Sequence, residues 1–463
     1  MQFRRRLCSW WRVLLAITVL AVCLSPPVRQ LTESPSEVWL PLGDRADVVV
    51  GWKTFRVNSS DPRVVEADVQ TKQRPAVFSL IGKRLGEAYV STKVFSILPW
   101  KAVRVEVVPQ QIVYVGGQSV GIRMKSHGVM VIGYQHVGGQ NSPAAQSHVE
   151  IGDVIERLNG VPLTSADDLQ RLLARVAPRD VLTLTIRRHG QVRTVRVQPV
   201  QDKTGRERLG LFVRDRTSGV GTLTFYDPDH HRFGALGHII TDVDTGQPID
   251  GQGTVYPAEV IGMIKGTAGH PGEKRGRFVS PTTPIGEIDK NTAFGIFGNM
   301  QAPPPNLYLQ HEVPVALPSQ IHDGPAQLLT VVSGETVEAF QVQVENIQSQ
   351  THPATKSMVI RVTDPRLLKL TGGIVQGMSG SPILQDGRLI GAVTHVFVSD
   401  PTRGYGVYAR WMMQECQSEG EEDGKEIQAA FSPSRFVESC RMNFLSRENY
   451  SETFGRTSAG HVE

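Results

Sequence analysis

Short runs of β-branched residues, cut at close intervals by glycine and proline, fill most of this chain. Val48-Val49-Val50, Ala88-Tyr89-Val90 and the alternation Val103-x-Val105-x-Val107 have the length and spacing of strands. The 45 glycines and 29 prolines among 463 residues supply the turns between them. That share is too small for a low-complexity or collagen-like chain. A mainly β globular protein of about three domains is therefore expected. A net charge of +4 is too small for a dedicated nucleic-acid binder. Cys8, Cys23, Cys416 and Cys440 are too few for a disulfide scaffold, and the middle of the chain has no CxxC metal site. Cys416 and Cys440 are either a disulfide or two free thiols.

Residues 1–30 read as a signal or anchor segment. Arg4, Arg5 and Arg6 precede an apolar run from Val13 to Leu24, with Arg12 at its edge. The 18 residues from Leu7 to Leu24 are just long enough to span a bilayer if Arg12 snorkels. No Ala-x-Ala cleavage site follows, which favours an uncleaved anchor over a removed signal. No other apolar run approaches this length, so the rest of the chain is expected outside the cytoplasmic membrane.

Residues 35–108 read as a small β-sandwich-like domain. In residues 109–200, Ile151-Gly152-Asp153-Val154-Ile155 and Leu158-Asn159-Gly160 precede a capping box, Ser165-x-x-Asp168. Leu169, Leu172, Leu173 and Val176 then form the apolar stripe of an amphipathic helix. From Arg171 to Arg216 there are twelve Arg/Lys against four Asp/Glu, which read first as solvated faces and second as a lipid-headgroup contact. Residues 413–463 turn acidic and serine-rich and read as a flexible tail.

Residues 210–412 carry the chemistry. In Gly377-Met378-Ser379-Gly380-Ser381-Pro382, a serine lies between glycines at a tight turn. Such a turn exposes a nucleophilic hydroxyl, and the amides of Gly377 and Ser379 are the natural oxyanion hole. A Gly/Ser-rich β-turn is the plainer alternative. His238, in Phe233-Gly234-Ala235-Leu236-Gly237-His238, is the strongest candidate base, with His231, His270 and His395 as competitors. Asp364, Asp242, Asp244, Asp250 and Asp289 all lie between His238 and Ser379, so order alone does not choose an orienting acid. No HExxH motif is present, and neither a metal nor a cofactor is expected.

Three resemblances rest on these residues. Residues 109–200 resemble a PDZ domain, which implies peptide binding by strand addition at Ser119, Val120, Gly121 and Ile122. The bound peptide could be the chain's own. The stretch Gly377–Trp411 resembles the second barrel of chymotrypsin-like serine proteases. That implies a double β-barrel, with Thr394, His395 and Val396 as the strand on which substrate docks. Met378 stands where the digestive enzymes carry the aspartate that pairs with a new N-terminus, so activation must differ. The third resemblance is broader. Gly372–Pro382, Ile390–Val398, Pro271-Gly272-Glu273-Lys274-Arg275-Gly276 and Asn291–Gly298 are similar to the stage IV sporulation protein B family. These are PDZ-containing serine peptidases of endospore-forming bacteria.

That resemblance covers roughly residues 1–412 and implies a catalytic triad of His238, Asp364 and Ser379. It also implies an exported endopeptidase, held at the forespore inner membrane and released by self-cleavage. Its target would be a membrane regulatory protein that restrains an intramembrane protease, whose release lets a late sigma factor be processed. Two other classes compete with it. An envelope quality-control protease usually carries its PDZ after the protease. A non-catalytic PDZ adaptor would not need an intact His/Asp/Ser set.

Overall fold

The structure is a computed structural model that describes residues 37–50, 55–70, 76–94, 98–348, 350, 352–418 and 460–462. The expected anchor at residues 1–30 and Cys440 lie outside these residues. Among the described residues, no helix is long and apolar enough to cross a membrane. The fold is mainly β: among the described residues 53% are strand and 9% helix. Two compact units divide the chain: Met1–Gln111 with Leu317–Ile321, and Ile112–Ala316 with His322–Glu463.

The first unit has a four-stranded and a three-stranded sheet. Alternation decides which side chains enter its core: Val103, Val105 and Val107 are buried, with Phe78, Leu80 and Val90 around them. Tyr89, on the opposite face from its neighbours Ala88 and Val90, is half exposed.

The second unit holds two barrels and a PDZ module. In the first barrel six strands run Ser119–Tyr134, Gly251–Ile264, Gly286–Thr292, Gly295–Asn299, Arg232–Ala235 and Leu211–Asp227. Each is hydrogen-bonded to the next, and the last pairs back with the first. Val120, Ile122, Leu223, Phe233, Val255 and Ile296 fill this barrel. The second barrel closes through Gly324–Val331, Val337–Glu345, Met358–Val362, Asp400–Tyr408, Arg388–Phe397 and Pro382–Gln385. The helix Ala409–Gln417 packs with Trp411, Met412, Met413 and Cys416 buried, so residues 413–417 are helix, and residues 419–459 of the expected tail lie outside the described residues. Cys416 is a free thiol.

The PDZ module is an insertion into the first barrel rather than a domain that precedes it. Ser119–Tyr134 leaves the barrel and continues into the module. There Val129 and Val131 join a core with Ile155, Leu169, Leu173 and Val213. Leu211–Asp227 runs back beside it over most of its length. The sequence features of the module are present locally. Ser165 caps the helix Ala166–Leu173 by accepting from the Asp168 amide at 3.1 Å. The Asp168 carboxylate, however, accepts from the Thr164 amide at 3.0 Å instead of closing a box on Ser165. Asn159 and Gly160 both take positive φ, as the Asn-Gly hairpin turn requires. Much of the basic stretch is paired: Arg188 forks onto buried Asp153 at 2.6 Å through both its Nε and Nη2.

Candidate active site

The two barrels each bring one candidate reacting group to their junction. On the first barrel, the strand Arg232–Ala235 ends in two successive positive-φ residues, Leu236 (69°) and Gly237 (70°). That tight reversal presents His238. Gly237 has no room for a side chain: a Cβ there would lie 3.0 Å from the Thr394 methyl of the second barrel. Asn291 pins the segment beyond the histidine. It accepts from the Ile240 amide at 2.8 Å and donates to the carbonyls of Ile240 (2.9 Å) and Ile249 (3.0 Å).

The His238 Nδ1 lies 2.8 Å from the Ile239 carbonyl. A carbonyl only accepts, so Nδ1 carries the proton and Nε2 keeps its lone pair, the tautomer a general base needs. Burial lowers the affinity of His238 for a second proton, and the Ile239 bond opposes this only in part. His395, on the second barrel, packs its ring 5.1 Å from that of His238. Its pKa is pushed down to about 3, by burial first and then by the neighbouring His238 and Lys356. It is therefore a neutral wall against the base. Of the competing histidines, His231 is engaged by the Tyr226 hydroxyl at 2.9 Å, on the polar turn before this strand.

On the second barrel, the nucleophile loop turns its carbonyls inward onto the first barrel. The Thr222 hydroxyl donates to Gly377 O at 2.8 Å, its amide to Ser379 O at 3.1 Å, and the Thr224 hydroxyl to Gly380 O at 2.8 Å. Gly380 (φ 89°) lies so close that a Cβ would collide with Thr222 O and Leu236 N. Two further carbonyls fix the oxyanion amides. Gln376 O accepts from the Lys274 amide, and Met378 O accepts from the Ser381 amide. In a trans peptide the N–H points opposite the C=O, so the Gly377 and Ser379 amides face away from these donors. Neither amide has a protein acceptor among the described hydrogen bonds. Two preoriented, unspent donors beside a serine are what an oxyanion hole requires. The Ser379 hydroxyl itself donates to Thr394 O at 2.8 Å. That bond points the hydroxyl hydrogen at the strand Arg388–Phe397 rather than at His238.

Three expectations are corrected by these contacts. Asp364 does not orient His238 here. It caps the helix Pro365–Thr371, accepting from the Arg366 amide at 2.8 Å, the Gln341 amide at 3.2 Å and the Arg366 guanidinium at 3.1 Å. Burial alone would raise its pKa; the Arg366 and Gln341 donors outweigh this and hold it low. Asp242 and Asp244 are paired with Arg214, Asp289 with Arg232, and Asp250 lies beside His127. None of the five carboxylates bonds to His238 among the described contacts, and the Ile239 carbonyl fills that position.

Strand addition at Ser119, Val120, Gly121 and Ile122 is likewise blocked. Thr222–Gly219 pairs along one edge of this segment, and Pro257–Val255 pairs with Val120–Ile122 on the other. The PDZ edge that takes an added strand is Leu211–Val213. There Gly460–Val462 of the same chain pairs antiparallel, alongside the helix Ala166–Leu173. The strand expected to dock substrate is not a plain edge either. Thr394 and His395 form a bulge between the Val393 and Val396 pairings with Asp400–Tyr408, and the Thr394 carbonyl is occupied by Ser379. Among the described residues no group of His, Cys, Asp and Glu converges as metal ligands.

Thr222, Thr224 and Asn291 hold the turns of the candidate site; Asn291 lies in a family-like motif, and the threonines carry no sequence signal beyond strand alternation.

Residues 205–413 match the SpoIVB peptidase S55 family, and residues 119–198 match the PDZ domain family. No curated protein matches the chain. Among solved structures, the active form of the Rv3671c protease from M. tuberculosis is similar at 15% identity, with a TM-score of 0.26, over 44% of this chain and 76% of that one. The PDZ domain of the SdrC-like protein from Listeria monocytogenes is similar at 19% identity, with a TM-score of 0.17, over 19% of this chain and 87% of that one. These likenesses are too weak to place a residue.

Proposed function

Because residues 205–413 match the SpoIVB peptidase S55 family and the chain is a PDZ-containing serine peptidase, we propose that it is an exported signalling endopeptidase. In this reading it is anchored through residues 1–30, cleaves itself, and then cleaves a membrane regulatory protein of an intramembrane protease. That second cut triggers processing of a late sporulation sigma factor precursor. The observation that carries the reading is the family match over the segment that holds His238 and Ser379.

Ser379 Oγ turns its hydrogen from Thr394 O to His238 Nε2, gives up that proton to the imidazole and attacks the peptide carbonyl. The Gly377 and Ser379 amides hold the oxyanion, and His238 returns the proton to the leaving amine. The PDZ ligand is a peptide strand laid on Leu211–Val213, and the pairing of Gly460–Val462 there supports the chain's own C-terminal segment as one occupant.

The test is to express the full chain with and without Ser379→Ala, together with a sporulation regulator of an intramembrane metalloprotease, and to map every N-terminus by mass spectrometry. The reading predicts a new N-terminus beyond Leu24 and a cleaved regulator, both absent in the variant. Identical termini and an intact regulator in both preparations would sink it.

A further inference from the structure

Apart from the Lys274 amide on Gln376 O, the segment Pro271–Gly276 plays no part in the chemistry above, yet its lysine side chain lies directly behind the nucleophile loop. Lys274 belongs to the strand Glu273–Phe278. Its amide donates to Gln376 O and the Gln376 amide donates to Gly272 O, each at 2.8 Å, which clamps the chain one residue before the oxyanion glycine. Its side chain then passes beneath Gly377, where a Cβ would lie 3.0 Å from the Lys274 Cβ. Lys274 is only 3% exposed.

The ammonium ends among hydroxyls drawn from three strands: Thr330 Oγ1 at 2.9 Å, Ser119 Oγ at 3.4 Å and Thr222 Oγ1 at 3.5 Å. Ser381, inside the loop, bonds Thr330 at 3.1 Å. No carboxylate and no second base faces it from these elements. On its own strand, Glu273 and Arg275 project to the opposite face. A buried cation without a counter-charge is costly to keep, and burial pushes the Lys274 pKa down to about 7.

The donor arithmetic shows what the charge does. An ammonium has three N–H donors and no acceptor, so each hydroxyl oxygen around it must accept and must turn its own hydrogen elsewhere. For Thr222 that other place is Gly377 O, the carbonyl that holds the oxyanion glycine in position. A neutral amine offers a lone pair, and the Thr222 hydrogen can then leave Gly377 for Lys274. We propose that Lys274, as the ammonium, is a positioning residue of the peptidase reaction that locks Gly377–Ser381 through Thr222 and Thr330 and places positive charge beneath the oxyanion hole. The inference rests on Ser379 being the nucleophile.

The experiment measures the labelling rate of Ser379 in the full chain by a fluorophosphonate probe from pH 5 to 10, for wild type, Lys274→Met and Lys274→Arg, with melting temperatures alongside. Wild type should lose reactivity above about pH 7. Lys274→Met should label about 10²-fold more slowly, the size of losing one oxyanion donor, with no alkaline limb. Its melting temperature at pH 6 should be no lower than wild type, because a purely structural lysine would cost stability and this one spends it. Lys274→Arg, always charged, should retain reactivity to higher pH. A Lys274→Met rate within threefold of wild type, or an unchanged alkaline limb, overturns the proposal. If that variant does not fold, the wild-type profile decides: constant labelling up to pH 9 overturns it. Wild type that fails to label at all removes the nucleophile assignment itself, a distinct result.

Discussion

At the scale of single residues, the division of labour between His238 and its neighbours sets the pH behaviour. Burial holds the His238 pKa below its ordinary 6.5, so the base form persists on the acid side of that value. The acid limb of kcat/KM should fall below pH 6.5, and a limb above it would contradict the assignment. The stability sign agrees. Between the folded and unfolded pKa values the unfolded chain binds more protons, so stability declines as pH falls below 6.5. Asp364 poses the sharpest residue question. Asp364→Ala removes a helix cap and should cost about 1–2 kcal/mol in denaturant unfolding, with the acid limb of kcat/KM unmoved. A loss of about 10⁴ in kcat at unchanged stability would instead place this carboxylate on His238 in the working enzyme. The turns that carry Ser379 and His238 were legible in the sequence because glycines mark them. The orienting group was not, because a backbone carbonyl such as that of Ile239 has no sequence signature and five aspartates satisfied chain order.

At the scale of elements, the nucleophile loop is shaped less by itself than by the strand Leu211–Asp227. Thr222→Val would leave Gly377 O without its donor, an unsatisfied buried group worth about 1–3 kcal/mol, and should slow acylation more than it weakens substrate binding. A variant with raised KM and unchanged kcat would show that the loop holds its shape without that bond. Gly380→Ala meets both a positive φ and the Thr222 and Leu236 backbone, and should inactivate the enzyme. The placing of the PDZ peptide-binding strand shows where the sequence misleads at this scale. The resemblance put that role on Ser119–Ile122, and alternation and glycines look alike in any strand, so nothing local argued against it. That segment's true partners, Gly219–Thr222 and Val255–Pro257, lie about a hundred or more residues away, and local pattern carries no register information over that distance.

At the scale of the whole molecule, the strands Ser119–Tyr134 and Leu211–Asp227 join the PDZ core to the loop that carries Ser379. A ligand added at Leu211–Val213 therefore grips the strand whose far end holds Gly377, Ser379 and Gly380. The chain's own Gly460–Val462 holds that edge through few hydrogen bonds, and tethering supplies the effective concentration that makes so short a strand competitive. A labelled peptide spanning residues 453–463 should bind a chain truncated after Ser418 and not the full chain. Equal binding to both would show that the edge is open. The mainly β class and the order of motifs could be read from turn spacing, while the insertion of one module into a barrel of another could not, since it is a property of pairing alone.

The central claim is that Ser379 is activated by His238 across the junction of two barrels. It is tested most directly by mapping the fluorophosphonate adduct on the intact protein by peptide mass spectrometry. The account predicts a single adduct on Ser379, lost in Ser379→Ala and reduced at least 10³-fold in rate in His238→Ala. An adduct on another serine, or undiminished labelling without His238, would contradict it.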